Sequence, residues 1–251
     1  MFAPFKKEHI CIAHRGYRAY FPENTLFAFQ AALGRFDMFE FDVQYTKDMV
    51  PVIFHDEDLL RCTNVKEMFD RYTVRELTFD EIKRLDNVSW FIKQNPFHTD
   101  LDYGYLNTIP KHSIPTLDEV LEFIKQNRFP ANLEIKNSDL DAGFIVGDVL
   151  SRVEKHGVKD YVIISSFNHD YVRKIEGFYK AALFDGYKEG LLDYLKDLKV
   201  DSYHVDVEHL KTEDIQVLLK SGIFTNVYTV DDEKLKLKLF DEGVKGIFCD
   251  Y

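Results

Sequence analysis

The feature that most constrains the fold of this chain is an alternation between short apolar runs and longer segments with helical periodicity. The runs are rich in β-branched and aromatic residues, which is typical of buried strands. About eight such strands, mostly separated by helices, in 251 residues predict a parallel (β/α)8 barrel. The predicted strands cover residues 10–14, 38–43, 132–135, 161–165, 180–184, 202–205, 224–230 and 246–249.

The alternative architecture is a doubly wound open sheet. Such a sheet usually carries a glycine-rich phosphate loop after an early strand, and the sequence contains none. The alternation therefore favours the barrel, which we expect to form a single domain over residues 1–251.

One interval departs from the alternation. A second apolar run at residues 50–54 follows strand 38–43 too soon for a crossover helix, so we predict a β-hairpin with its turn at residues 47–49. Residues 56–113 are then expected to form a small insertion after the second strand and its hairpin. Thr116, with Glu119 three residues later, predicts the N-cap of the helix that follows the insertion.

Composition excludes some classes of function. The net charge of −11 argues against nucleic-acid binding, which needs a basic surface. Three cysteines without close pairing predict no disulfide framework and favour a reducing compartment. No segment resembles a signal peptide, and no apolar stretch approaches the roughly 20 residues of a transmembrane helix. We therefore expect a cytoplasmic protein without a stable membrane anchor. The sequence does not decide between a monomer and a homo-oligomer.

Acidic side chains recur on single faces of the predicted strands. Glu40 and Asp42 share a face of the second strand, and Glu134 shares one with Lys136 at the end of the third. Active sites of these barrels form at the C-terminal ends of strands, and three carboxylates there suit one divalent cation, Mg, Ca or Mn. Salt bridges of the carboxylates with Lys136 and Arg15 are the alternative, and spacing alone does not decide between the two.

Two histidines also stand where predicted strands end. His14 is followed by Arg15 and Gly16, which combine a titratable group, a phosphate-binding guanidinium and a glycine that permits close approach. His55 stands with Asp56 at the end of the hairpin. A lone histidine on a strand is more often a satisfied core residue. The recurrence of polar residues at neighbouring strand ends favours an acid–base pair.

These residues belong to an ordered series of motifs along nearly the whole chain. The motifs are Ala13-His14-Arg15-Gly16, Pro22-Glu23-Asn24-Thr25, Glu40-Phe41-Asp42-Val43, Val52-Ile53-Phe54-His55-Asp56, Leu60-Arg61-Cys62-Thr63-Asn64, residues 114–121, Leu133-Glu134-Ile135-Lys136, Ser165-Ser166-Phe167, Tyr228-Thr229-Val230-Asp231 and residues 243–251. In this series the chain resembles the glycerophosphodiester phosphodiesterase family.

The resemblance implies a (β/α)8 barrel with a small insertion after the His-Asp motif. It implies hydrolysis of glycerophosphodiesters to glycerol 3-phosphate and an alcohol, with His14 and His55 as general acid and base. The implied cofactor is one divalent cation on Glu40, Asp42 and Glu134. The implied phosphate-binding residues are Arg15 and Lys136, and the supporting residues are Glu23, Asn24 and Asp56.

The sequence also departs from the family pattern. Met49 stands in the hairpin turn where the family commonly has glycine. Tyr228 stands where tryptophan is usual, and it is a candidate for contact with the alcohol group of the substrate. The chain stops at Tyr251, just after the last strand, so Phe2, Phe5 or a partner subunit are candidates to cover that strand.

Other functions stay open at this point. The same chemistry on lysophospholipids, a phospholipase D-like activity, would favour an apolar rim or a membrane-binding face, and no basic amphipathic helix is evident. A non-catalytic barrel that binds a phosphorylated ligand would predict the loss of a histidine or a carboxylate, and none of the implied residues is lost. Paired histidines do not suit a glycosidase, which uses two carboxylates.

Overall fold

Eight parallel strands close into a barrel in the computed structural model, which describes residues 1–251. The chain has nine strands, which are β1 (Ile10–Ala13), β2 (Met38–Tyr45), β3 (Pro51–Ile53), β4 (Ala131–Ile135), β5 (Val162–Ser166), β6 (Tyr179–Phe184), β7 (Ser202–Asp206), β8 (Phe224–Tyr228) and β9 (Gly246–Cys249). All except β3 form the barrel. The order around the barrel is β1, β9, β8, β7, β6, β5, β4 and β2, and the pairing of β1 with β2 closes it. The predicted (β/α)8 fold is confirmed.

Helices connect the strands, as the alternation of apolar runs and helix-period segments predicts. They are α1 (Leu26–Ala32), α2 (Val65–Met68), α3 (Phe79–Ile82), α4 (Ser89–Gln94), α5 (Tyr103–Leu106), α6 (Leu117–Asn127), α7 (Ala142–His156), α8 (His169–Lys174), α9 (Leu191–Leu198), α10 (Thr212–Lys220) and α11 (Glu233–Asp241). Thr116 caps α6 in a reciprocal box with Glu119, as predicted. None of these helices has the length and apolar character required to span a membrane.

The predicted hairpin is present as an antiparallel pairing of β2 with β3, in which Val43 faces Ile53. Its turn contains Met49 with a φ of 65°, in the left-handed region. Glycine enters that region without the steric penalty that a side chain brings. Met49 therefore adopts a backbone conformation that the glycine commonly found at this position could also adopt.

Residues 56–113 contain α2 to α5 and most of a small apolar core, which they share with the end of the hairpin. Trp90 and Phe91 belong to this core, whereas Tyr103 and Tyr105 remain about half exposed. We propose from this packing that the segment is an insertion within a single domain spanning residues 1–251.

Phe2 and Phe5 close the N-terminal end of the barrel. Phe2 packs on Tyr179 and Phe5 packs on Phe224, with ring centroids 5.2 and 4.7 Å apart, and each partner is the first residue of its strand. Both join the cluster that contains Phe248, whose side chain points into the barrel. These two residues therefore plug the barrel and do not cover the outer face of the last strand.

His204 lies in the barrel interior with 0% of its surface exposed, and burial lowers the pKa of His204 from 6.5 to about 3. The unfolded chain takes up this proton below pH 6.5, but the folded protein does not do so until about pH 3. The free energy of unfolding therefore decreases as the pH falls through this window, by about 1.4 kcal/mol per pH unit from this group.

We expect the free energy of unfolding of His204→Gln, measured with urea between pH 7 and pH 5, to depend less steeply on pH than that of the parent. The exposed control His98→Gln should keep the parent's slope, and equal slopes for all three proteins would contradict the assignment.

Candidate active site

A cavity of about 190 Å³ lies at the C-terminal ends of the barrel strands. It is lined by His14, Arg15, Glu40, His55, Asn132, Glu134, Phe167, Leu183, Tyr228, Thr229 and Phe248. Both predicted histidines, the predicted arginine and two of the predicted carboxylates thus share one cavity. Larger clefts of about 410 and 530 Å³ lie elsewhere and contain none of the predicted site residues.

The three predicted carboxylates converge because their strands are neighbours in the barrel. Asp42 on β2 is the register partner of Glu134 on β4, and Glu40 lies two residues before Asp42 on the same face. One oxygen from each carboxylate lies within 4.8 Å of the others, and all three residues are buried. This arrangement fits a hard cation bound through oxygen.

Asp42 also forms the salt bridges that the sequence left open as the alternative to a metal. The Lys136 ammonium lies 2.7 Å from Glu134 Oε1 and 3.5 Å from Asp42 Oδ1, and Arg15 Nε lies 3.8 Å from Asp42 Oδ2. Asp42 Oδ1 is nevertheless buried and accepts no hydrogen bond. Ion pairs with Lys136 and Arg15 thus coexist with an anionic oxygen that lacks a hydrogen bond and that a cation would satisfy.

The carboxylates differ in their ionisation. Burial and the charges of Asp42 and Glu134 raise the pKa of Glu40 well above its usual range. Burial opposes ionisation of Asp42 too, but the charges of Lys136, His55 and Arg15 outweigh it and lower the pKa of Asp42 to about 2. Asp42 is therefore the readily ionised carboxylate of the cluster, whereas Glu40 ionises only with further positive charge nearby.

The loop after β1 braces this cluster. Arg15 has a φ of 55°, and its backbone N–H donates to Glu40 Oε2 at 2.7 Å. Asn24, with a φ of 56°, donates from Nδ2 to Asp42 Oδ2 at 2.8 Å, while Glu23 Oε1 accepts a hydrogen bond from Arg15 Nη1 at 2.9 Å. Two left-handed residues thus turn the loop so that its polar groups reach the carboxylates of β2.

Gly16 allows this loop to pack against α1. Its φ is +80°, and a Cβ at this position would lie 2.7 Å from Ala28 Cβ and 2.8 Å from Ala28 C. We expect Gly16→Ala to lower the free energy of unfolding by about 2–4 kcal/mol, from backbone strain plus overpacking. The control is Gly147→Ala, because Gly147 lies in α7 and an added Cβ would meet no atom within 4 Å outside the neighbouring backbone of the helix. Urea denaturation measures both, and a Gly16→Ala protein as stable as the control would refute the packing argument.

His14 is held through one ring nitrogen. Its Nδ1 lies 2.9 Å from Asp250 Oδ1 and 3.2 Å from Arg18 Nη1, and Thr229 Oγ1 lies 3.5 Å away. Burial and the charge of Arg15 lower the pKa of His14 to about 4, against the opposing effect of Asp250. Neutral His14 therefore has Nε2 as the nitrogen without a protein partner.

His55 has the same arrangement on the hairpin side of the cavity. Its Nδ1 lies 2.6 Å from Asp56 Oδ1, and its backbone carbonyl accepts a hydrogen bond from Gln44 Nε2 at 3.1 Å. Arg61 joins Asp56 to Glu23, donating from Nε to Asp56 Oδ2 at 2.6 Å and from Nη2 to Glu23 Oε1 at 2.7 Å. An insertion residue thereby ties the second histidine to the loop that carries the arginine of the site.

The hydroxyl of Tyr228 forms a hydrogen bond within the protein. The O–H donates to the Phe184 carbonyl at 2.6 Å, and the ring packs edge-to-face with Phe167 and Phe248. Tyr228 therefore offers its ring to the cavity, and the side formed by Phe167, Leu183 and Phe248 is apolar. The cavity thus combines a charged half with an apolar half.

Four residues of the site were missed by sequence reasoning. Asp250 follows β9 on the face shared with Phe248, and an acidic residue at the end of a barrel strand was a usable signal for it. Arg18 carries no local signal, because it lies in an irregular loop. Arg61 stands in one of the motifs, but its contacts with Asp56 and Glu23 were not predicted. Asn132 occupies the middle of a strand and resembles an ordinary core position by pattern.

Comparison with known proteins identifies related sequences and folds. Residues 14–251 match the Glycerophosphoryl diester phosphodiesterase family. The chain is 32% identical to a glycerophosphodiester phosphodiesterase of Bacillus altitudinis over 247 residues, covering 95% of this chain and 93% of the relative. It is likewise 32% identical to the glycerophosphodiester phosphodiesterase of Caldanaerobacter subterraneus subsp. tengcongensis over 249 residues, covering 96% and 93%.

The fold also matches solved structures. A phosphodiesterase from Oleispira antarctica, in complex with the product sn-glycerol-3-phosphate, superimposes with a TM-score of 0.81 at 26% identity and covers 96% of this chain and 93% of its own. A structure from Silicibacter pomeroyi described as a glycerophosphoryl diester phosphodiesterase gives a TM-score of 0.83 at 21% identity, covering 97% and 90%. The second similarity concerns the fold alone.

Proposed function

Because the chain belongs to the glycerophosphoryl diester phosphodiesterase family over residues 14–251, we propose that it hydrolyses glycerophosphodiesters to glycerol 3-phosphate and an alcohol. The observation that carries the proposal is the convergence of two imidazoles, a guanidinium and acidic side chains on one cavity. The Oleispira antarctica phosphodiesterase, which binds sn-glycerol-3-phosphate, supports the same class of substrate. The proposal makes the cavity a small-molecule site.

The residues that would hold a divalent cation are Glu40, Asp42 and Glu134. Their mutual distances support this assignment, as does Asp42 Oδ1, which is buried and accepts no hydrogen bond. When bound, Mg, Ca or Mn would supply a positive charge that stabilises the phosphoryl oxygens as they become more negative. Adding Mg, Ca or Mn singly to metal-stripped protein identifies the cation that supports hydrolysis.

Arg15 and Lys136 are proposed to orient the phosphodiester. Arg15 lines the cavity, and Glu23 fixes its guanidinium by a hydrogen bond at 2.9 Å. Lys136 lies in an adjoining cleft that shares His55 and Glu134 with the cavity. Fixed positive groups stabilise developing charge without the reorganisation that water would require.

His14 and His55 are proposed as the acid–base pair. A carboxylate binds Nδ1 of each ring, Asp250 for His14 and Asp56 for His55, so Nε2 remains for the reacting proton. One histidine would take the proton of the attacking hydroxyl, which belongs to water or to the neighbouring glycerol carbon. The other would protonate the oxygen of the departing alcohol. The two roles would exchange if the glycerol hydroxyl attacks first and a cyclic phosphate is then opened by water.

The aromatic half of the cavity is proposed to contact the carbon-bearing parts of the substrate. Tyr228 and Phe167 present ring surface there, since the Tyr228 hydroxyl is already bound to the Phe184 carbonyl. We therefore assign substrate positioning, and no proton transfer, to Tyr228.

The function is tested by assaying metal-stripped protein with glycerophosphocholine, glycerophosphoethanolamine, glycerophosphoglycerol and a lysophosphatidylcholine, with Mg, Ca or Mn added back singly. We expect glycerol 3-phosphate from at least one of the three water-soluble diesters. Turnover of the lysophospholipid alone would favour the phospholipase D-like alternative. Tight binding of a diester without any turnover would favour a non-catalytic barrel.

A further inference from the structure

Asn132 lies in the cavity among the acidic residues, and no motif of the sequence marks it. It is 1% exposed on β4, with Glu40 as its register partner on β2. Glu134 follows two residues later and projects to the same face. Asn132 is thus flanked, across the sheet and along its strand, by two of the carboxylates proposed to hold the cation.

The side-chain amide of Asn132 has one partnered end and one free end. Its Nδ2 donates to Ser165 Oγ on the neighbouring β5 at 3.0 Å, while its Oδ1 is buried and accepts no hydrogen bond. Buried amide oxygens normally have a partner, so an unpartnered one at the wall of a polar cavity indicates a ligand. The hydrogen bond to Ser165 also restricts the amide, which lowers the entropy lost when its oxygen binds.

We propose that Asn132 supplies an additional oxygen to the divalent cation, either directly or through one bound water. The inference rests on the proposed function and deepens its account of the metal site. Hard cations such as Mg and Ca take six or more oxygen ligands, which is more than three single carboxylate oxygens provide. A neutral amide oxygen adds a donor without adding to the repulsion among Glu40, Asp42 and Glu134.

The depth of Asn132 favours the cation over the substrate as its ligand. Asn132 is level with Glu40 in the β2–β4 register, whereas Asp42 and Glu134 form the next pair toward the C-terminal end. Because substrates enter these barrels at the C-terminal ends of the strands, Asn132 lies on the far side of the upper carboxylate pair from the entrance. This position favours the carboxylate-bound cation over the substrate as the ligand of the amide oxygen.

The test is calorimetric titration of metal-stripped protein with CaCl2, MnCl2 and MgCl2, without substrate. Asn132→Leu keeps a similar volume and removes the oxygen, and we expect it to raise the metal Kd by roughly 10–100-fold. Asn132→Asp keeps the oxygen and adds charge, so its Kd should equal or fall below that of the parent. The matched control is Asn226→Leu, because Asn226 is also 1% exposed inside the barrel with an unpartnered Oδ1, yet it does not line the cavity.

An unchanged Kd for folded Asn132→Leu would overturn the inference and leave the proposed function standing. An unchanged Kd with a raised KM would also overturn it, by assigning the amide to the substrate. If Asn132→Leu does not fold, Asn132→Asp decides, and a clearly weaker Kd for that variant would refute the assignment. If the parent protein binds none of the three cations, the result contradicts both the role of Asn132 and the proposed metal dependence.

Discussion

Replacing either His14 or His55 by alanine is expected to lower kcat for glycerophosphodiester hydrolysis by roughly 10²–10⁴-fold. Each imidazole lines the same cavity and is fixed through Nδ1 by a carboxylate, which leaves a single nitrogen to exchange a proton with the substrate. The loss should appear in kcat at saturating metal and diester, because the proton is transferred in the transition state. Initial rates of glycerol 3-phosphate release measure it.

His98→Ala is the control for this experiment, since His98 is exposed in the insertion and lies outside the cavity. It should keep the turnover of the parent. Circular dichroism and thermal unfolding must show that the His14 and His55 variants are folded. Near-full turnover by either folded variant would remove that histidine from the acid–base pair. The double variant should lose less than the product of the two single losses, because the two residues act in one reaction.

Removing the divalent cation, or replacing Glu134 by glutamine, is expected to reduce hydrolysis on the order of 10³-fold, which corresponds to about 4 kcal/mol of transition-state stabilisation. Glutamine preserves the shape of Glu134 and removes the charge that would bind the cation. Adding the metal back should restore the activity of the stripped parent. The same addition should restore the activity of Glu134→Gln only at a much higher metal concentration. Titration of activity against Mg, Ca and Mn measures both effects.

Glu154→Gln provides the matched control, because Glu154 is an exposed residue of α7 remote from the cavity lining. Its metal dependence should equal that of the parent. Full activity of the parent in the presence of a strong chelator would contradict the metal assignment. A Glu134→Gln protein with an unchanged metal requirement would contradict the role of Glu134 in particular.

The strands and much of the site could be predicted because both depend on local pattern. Alternation of faces placed Glu40 and Asp42 together, and the parallel arrangement brought Glu134 beside them at the same end of the barrel. His14 could be placed near them by the same argument. Short-range rules were sufficient wherever the decisive contact joins neighbouring strands.

The partner of His14, and the link between the insertion and the loop after β1, depend on contacts that no local pattern contains. Asp250 and His14 are separated by 236 positions in the chain, and Arg61 reaches Glu23 across 38. The helices of the insertion have only four to six residues, which is too short for a helical period to appear. The insertion's internal structure, and the role of Arg61 within it, therefore needed three-dimensional information.

Departures from the family pattern were a weaker guide than the motifs. Met49 stands where the family commonly has glycine, yet it adopts the left-handed conformation that glycine enters freely, with a φ of 65°. Tyr228 remains assigned to the substrate as a proposal, but its hydroxyl is bound to a backbone carbonyl and its ring is the available surface. A change of residue type thus did not translate directly into a change of backbone or of chemistry.

We propose that this barrel cleaves glycerophosphodiesters with a divalent cation and releases glycerol 3-phosphate. The most direct measurement is phosphorus NMR of one reaction, in which glycerophosphocholine, glycerol 3-phosphate and phosphocholine give separate signals. With metal-loaded protein, the diester signal should decline as the glycerol 3-phosphate signal grows, and stripped protein should leave the diester intact. Growth of the phosphocholine signal, or conversion at an equal rate without any metal, would contradict the account.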